Sequence, residues 1–222
     1  HSPMYYFICC LAVSDLLVSV SNFVETFFII LIDHRVMILE HETGRYMNDI
    51  MDMLICSSFM ASLSFLGVIA VDRYITIFYA LRYNSIMTIQ RAVIIIVAIW
   101  VVSLSASTIF IAYDDGKAVV LCLLTYLLFV LTVIIGLYIH MFMLARRHAQ
   151  TISRLHRKAT APPVTNLKGT ITLTILLGVF LVCWGPFFLH LILYVTCPSH
   201  PVCNCYFEYF NLYIILVICN SV

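Results

Sequence analysis

Charge is what this chain of 222 residues has least of: 10% of it is Asp, Glu, Lys or Arg, against 63% hydrophobic residues. A soluble globular domain carries about a quarter charged residues, so the polar surface that water requires is missing and a soluble fold is excluded. The mean hydropathy of +1.05 agrees. No Lys/Arg-rich arm interleaved with aromatics occurs outside the basic loops, which excludes nucleic acid as a partner. No Asn-x-Ser/Thr acceptor for glycosylation occurs. An internal repeat is also missing, so a transporter built of duplicated halves gains no support. His1 is preceded by no initiator Met or signal peptide, and Val222 stops inside an apolar run. The chain therefore reads as a single membrane domain, 1–222, truncated at both ends.

What the chain does have is long apolar sequence. Between Asp52 and Asp72 lie 19 residues without a formal charge, about 29 Å of α-helix and close to the thickness of one bilayer core. Ser57, Ser58, Ala61, Ser62, Ser64 and Gly67 within it are small enough to let neighbouring membrane helices approach. Six such segments follow one another, at Pro3 to Ile32, Tyr46 to Phe78, Ala92 to Ala112, Ala118 to Ala145, Leu167 to Thr196 and Tyr206 to Val222, the last cut short. The expected fold is all-α, a polytopic membrane helix bundle. Pro3 suits the first turn of its helix, where a missing N–H costs nothing.

Basic residues orient the bundle. Arg73, Arg82, Arg91, Arg146, Arg147, Arg154, Arg157, Lys158 and Lys168 share one side, and only Arg35, Arg45 and Lys117 share the other. The richer side faces the cytoplasm. The connection from Arg146 to Lys168, with Pro162-Pro163, is the longest cytoplasmic one and is expected to be mobile. The link at Tyr113 to Lys117 is so short that the helices it joins should be antiparallel neighbours.

Cys9, Cys10, Cys56, Cys122, Cys183 and Cys219 lie in apolar helices, where small polarizable packing residues are expected. Cys197, Cys203 and Cys205 share one outward loop, CPSHPVCNC, in an oxidising compartment. A disulfide is favoured there over zinc, which would need His200 to complete three sulfurs.

Acids inside a bilayer need partners or water. Asp15 sits well inside the first span, and Glu25 lies about 15 Å further along it, near the outer end. Asp49 and Asp52, at i and i+3, share a helix face at the same level. Three carboxylates can converge on the extracellular side, where a bound Ca²⁺ or a ligand arginine would relieve their repulsion. The other reading is that they are solvated helix ends. At the opposite end of the same helix stands Asp72-Arg73-Tyr74, either an interfacial salt bridge or a switch. Cys183-Trp184-Gly185-Pro186 places a proline inside an apolar helix, which removes a backbone hydrogen bond and is expected to kink it. The tryptophan beside it is either packing or part of a bistable element.

Taken in order, LAVSD, Asp72-Arg73-Tyr74 after a long helix, and CWGP in a later helix resemble the rhodopsin-like G-protein-coupled receptors. HSPMYYFICCLAVSDLLVSVSN, AVDRYITIFYALRY, LKGTITLTILLGVFLVCWGPFFLHL and CPSHPVCNC resemble the melanocortin receptors more narrowly, the first and third most of all the melanocyte-stimulating-hormone (type 1) branch. The likeness covers His1 to Val222. It implies a seven-transmembrane receptor fold of which helices two to seven are present, the last truncated. It also implies a plasma-membrane receptor and not an enzyme, with no catalytic residues.

The expected ligands are melanocortin peptides with a His-Phe-Arg-Trp core, opposed by agouti-type antagonists. The expected output runs through stimulatory G protein and adenylyl cyclase to cyclic AMP and, in melanocytes, pigment synthesis. By this resemblance Glu25 and Asp52 match acidic positions that hold calcium and receive the peptide arginine. The third acidic position is occupied by Asn48, with Asp49 one residue over and about 100° around the helix. Either calcium binding is weakened, Asn48 ligating through its amide oxygen, or the helix rotates slightly to use Asp49.

Phe187, His190 and Phe210 match aromatic-pocket positions, and Trp184 with Pro186 the activation switch. Arg73, flanked by Asp72 and Tyr74, matches the G-protein contact, with Leu81 packing on the same partner. Asp15, Ser62 and Asn220 match an internal polar cluster that can hold sodium. The likeness pairs Cys197 with Cys203 in a disulfide and sends Cys205 to a preceding segment. The nearest alternatives are another melanocortin receptor subtype, an opsin, which would need a Schiff-base lysine after Lys168, or an ion-coupled transporter, which would need acids on several helices.

Overall fold

The computed structural model describes residues 3–33, 41–112, 116–155 and 165–196. Among them every regular element is helical: α1 (Pro3–Asp33), α2 (His41–Phe78), a single 3-10 turn (Ala80–Arg82), α3 (Tyr83–Ile86), α4 (Ile89–Ala112), α5 (Gly116–Leu155) and α6 (Thr165–Thr196). The five long helices correspond to the first five apolar segments. The sixth, at Tyr206 to Val222, lies outside the described residues.

Two of these helices are longer than their apolar runs, for the same reason. α2 begins at His41 instead of Tyr46, and α5 continues to Leu155, ten residues beyond Ala145. Apolarity marks where lipid ends, whereas a helix ends where its backbone bonds end. The polar turns His41 to Arg45 and Arg146 to Leu155 remain helical past the hydrocarbon. The basic connection expected from Arg146 to Lys168 is thereby corrected: helix occupies both its flanks. α1 does start at Pro3, as the fixed φ of proline favours.

α2 is the hub, packed against α1, α4, α5 and α6. Of its apolar window 61% is buried, against 11% for those of α4 and α5. Phe59, Ala61, Leu63, Phe65, Leu66, Ile69 and Ala70 are almost completely covered. α1 presents Phe7, Leu11, Ser14, Val18, Ser21 and Asn22 to the interior, a stripe at helical spacing. α4 and α5 each pack principally on α2 and not along each other, despite their short link. The small face of α4, with Ala92, Ser103 and Ser107 buried, lies inward, while Val93, Ile94, Val97, Val101 and Val102 are exposed. Such outward apolar rows suit a lipid solvent.

Of the small residues on α2, Ser57, Ser58, Ala61 and Ser62 are buried at helix contacts. Gly67 is not a forced close approach, because an added Cβ would meet Val130 Cγ1 at an ordinary 3.5 Å. Among the described residues four helices carry windows long and apolar enough to cross a membrane, and α6 contributes the shorter apolar stretch Thr174–Leu189.

Candidate functional site

The outward half of α2 builds one wall of a cavity of about 360 Å³. Asp49, Asp52, Cys56 and Phe59 follow one another at helical spacing and all line it, so a single face of α2 passes from carboxylates to an aromatic ring. α4 contributes Phe110 and Ile111, α5 contributes Val119, Val120 and Leu123, and α6 contributes Trp184, Phe187 and Phe188. The lining is thus apolar on three sides and acidic along one edge of α2. That is the pattern of a site that orients a ligand through a few charges and holds it by area.

At the acidic edge, Asn48 Nδ2 donates to Asp52 Oδ2 at 3.2 Å, one helical turn on. Asp52 also interacts electrostatically with Asp49 on its own helix, and with Glu25 on α1. Glu25 is half-buried but does not line the cavity. Among the described residues no three His, Cys, Asp or Glu side chains converge as a metal-holding group. The donors are hard oxygens of the kind calcium takes, with Asp52 at their centre.

The opposite end of the cavity is a ring cluster. Phe59 of α2 lies 4.7 Å from Trp184, 4.9 Å from Phe188 and 5.9 Å from Phe180 of α6. Phe187 meets Trp184 edge-on at 5.9 Å. Aromatic pairs at these separations contribute about 0.5–1.5 kcal/mol each beyond their buried area. Trp184 is 2% exposed and its indole Nε1 has no hydrogen-bond partner among the described residues. α6 runs helical through Pro186 beside it.

Below this cluster, Ser62 Oγ donates to Asp15 Oδ1 at 2.8 Å, joining α2 to α1 in the middle of the bundle. Towards the other end of α2 Asp72 is fully buried. Its Oδ1 accepts a 2.8 Å hydrogen bond from Tyr83 Oη of α3, and its Oδ2 lies 3.6 Å from Arg73 Nη2. Tyr74 stacks on Phe78 at 4.2 Å. Leu81 stands fully exposed on the turn before α3. Arg91 holds the end of α3 by donating from Nη1 to Ile86 O at 2.8 Å and Ser85 O at 3.2 Å.

The structure therefore brings Asp49, Asp52, Trp184 and Phe187 to one cavity and places Glu25 beside it. The side chain of His190, and Phe210, Asn220, Cys197 and Cys203, lie outside the described residues. Sequence reasoning missed Phe59, Phe188 and the apolar wall from α4 and α5. Phe59 was legible, seven residues after Asp52 on the same helical face; the α4 and α5 wall had no charge or motif to mark it. Tyr83 was also missed, since nothing in ALRYN signals a carboxylate partner eleven residues earlier.

The sequence model of the 7 transmembrane receptor (rhodopsin family) matches residues 1–222. Members of that family are multi-pass membrane receptors that bind a ligand and couple to heterotrimeric G proteins, and they are not enzymes. With that match over its whole length, and with long apolar helices gathered around α2, the chain belongs to the rhodopsin family of 7 transmembrane receptors.

Proposed function

We propose that this receptor responds to melanocortin peptides, with melanocyte-stimulating hormone as agonist and agouti-type proteins as antagonists. It sits in the plasma membrane and activates the stimulatory G protein and adenylyl cyclase, so that cyclic AMP rises and pigmentation follows. The observation that carries this reading is the cavity with Asp49 and Asp52 on one edge and Trp184, Phe187 and Phe188 within it. A His-Phe-Arg-Trp core pairs one cation with flanking aromatic rings, and this lining offers a carboxylate for the first and faces and edges for the second.

Asp52 receives the arginine, with Glu25 adding negative potential from α1. The donor chemistry suits Ca²⁺, which Glu25, Asp52 and the amide oxygen of Asn48 or the carboxylate of Asp49 would hold once drawn together, since in this structure the three acids do not converge. Bound there, the ion supplies positive charge that lets neighbouring carboxylates remain ionised together. His190 and Phe210 complete the aromatic side, and Cys197–Cys203 ties the outer loop. Ligand bulk pressing on Trp184 shifts α6, which carries it, against Phe59 of α2. Arg73 and Leu81 then meet the G protein. Asp15, Ser62 and Asn220 form the polar joint between the two ends.

The test is cyclic AMP production in cells expressing the full-length receptor and challenged with a melanocortin peptide, beside a responding related receptor. A dose-dependent rise blocked by an agouti-type protein is expected. Silence at matched surface expression would remove the assignment. The relative potency of the peptides separates the melanocyte-stimulating-hormone type from the other subtypes.

A further inference from the structure

Two residues apart on the cytoplasmic half of α5, Tyr138 and His140 engage different helices. Tyr138 Oη lies 3.0 Å from Thr174 Oγ1 of α6. The imidazole of His140 lies flat on Phe78 of α2, with ring centroids 5.2 Å apart and 16° between planes, and 5.6 Å from Tyr74. Tyr74 and Phe78 stack on each other at 4.2 Å. Three rings therefore join α5 to the last turn of α2, directly after Asp72 and Arg73.

The chemistry of position 140 is out of keeping with its surroundings. Ile139, Phe142 and Met143 beside it are exposed apolar side chains, and in such a row an imidazole is costlier than any aliphatic residue. Packing against lipid does not call for it. A flat ring that packs against two other rings does.

We infer that the His140–Phe78–Tyr74 stack is a latch: it holds the cytoplasmic half of α5, and through Tyr138 and Thr174 that of α6, against α2, and so keeps the surface around Arg73 closed. His140 is a positioning residue that acts through Phe78 and Tyr74. An aromatic stack shifts a two-state equilibrium several-fold without locking it, which suits a contact that agonist binding must open. The inference rests on membership of the G-protein-coupled family and not on the identity of the hormone.

The experiment uses full-length receptor in nanodiscs and in cells at matched surface expression, as wild type, His140→Ala and His140→Phe. Spin-labelled noncanonical residues at the exposed positions Tyr79 and Met143 report the separation of α2 and α5. Agonist-independent nucleotide exchange is measured on whichever G protein the wild type activates. His140→Ala is expected to lengthen and broaden the distance distribution and to raise basal exchange roughly two- to ten-fold, the factor one aromatic stack supplies. His140→Phe, which keeps a flat ring, is expected to restore both. Adding His140→Ala to Phe78→Leu should add little, because the two residues share one contact.

An unchanged distance in His140→Ala, or His140→Phe behaving like His140→Ala, would overturn the latch. A changed distance with unchanged basal exchange would overturn its role in signalling. The distance measurement needs no hormone, so it stands even if the melanocortin assignment fails.

Discussion

Tyr83 Oη donates to Asp72 Oδ1 at 2.8 Å, while Arg73, the residue next to Asp72 in the chain, approaches the other oxygen only to 3.6 Å. The shorter partner of the buried carboxylate is therefore a side chain from the cytoplasmic link, not the adjacent arginine. Asp72 Oδ2 and Arg73 Nε are both buried without a hydrogen bond among the described residues. The pair is thus held loosely, and Arg73 can be released without breaking a short bond.

Tyr83→Phe removes one hydrogen bond from a buried charge, a loss of about 1.5–3 kcal/mol. A clear fall in the unfolding temperature of the detergent-solubilised receptor is expected. An unchanged temperature would mean that the bond contributes nothing in solution.

Arg73→Ala leaves the ligand cavity intact, since Arg73 lies at the far end of α2. Radioligand binding close to wild type and loss of cyclic AMP output are expected. Full output from this variant would remove Arg73 from the G-protein contact.

Asp52→Asn should weaken agonist binding by roughly tenfold or more, because Asp52 is exposed in the free receptor and a hydrogen bond to a charged group formed there is worth about 1.5–3 kcal/mol. Asp49→Asn should cost much less, because Asp52 is the carboxylate that couples both to Asp49 and to Glu25. Chelating calcium should reproduce part of the Asp52→Asn loss in the wild type. Small and equal effects from the two substitutions would dismiss the acidic edge as the hormone site.

Phe59→Ala empties the centre of the ring cluster formed with Phe180, Trp184 and Phe188. A destabilisation of about 3–5 kcal/mol is expected for a buried phenylalanine, whereas Phe59→Leu should retain most of the stability. Thermal unfolding followed by tryptophan fluorescence would read both, since Trp184 is one of only two tryptophans in the chain. Equal stability of Phe59→Ala and wild type would show that the rings do not hold α2 to α6.

The number and rough extent of the described long helices were legible because hydropathy answers directly to the bilayer. The errors were systematic where the polar turns of α2 and α5 continue a helix outside lipid. The acidic edge and Trp184 were legible because charges and a Trp-Gly-Pro run stand out in apolar sequence. Phe110, Val119 and Leu123 were not, because an apolar side chain in an apolar helix reads the same whether it faces lipid or a ligand cavity.

Composition along the chain thus determined the solvent and the class of fold, because transfer into lipid depends on local sequence alone. Tertiary structure decided which faces meet. α2 and not the short α4–α5 link sets the packing, Asp72 turns to Tyr83, and His140 comes to rest on Phe78. Those choices depend on how several helices compete for one small-residue surface, and a helix taken singly carries no record of its neighbours.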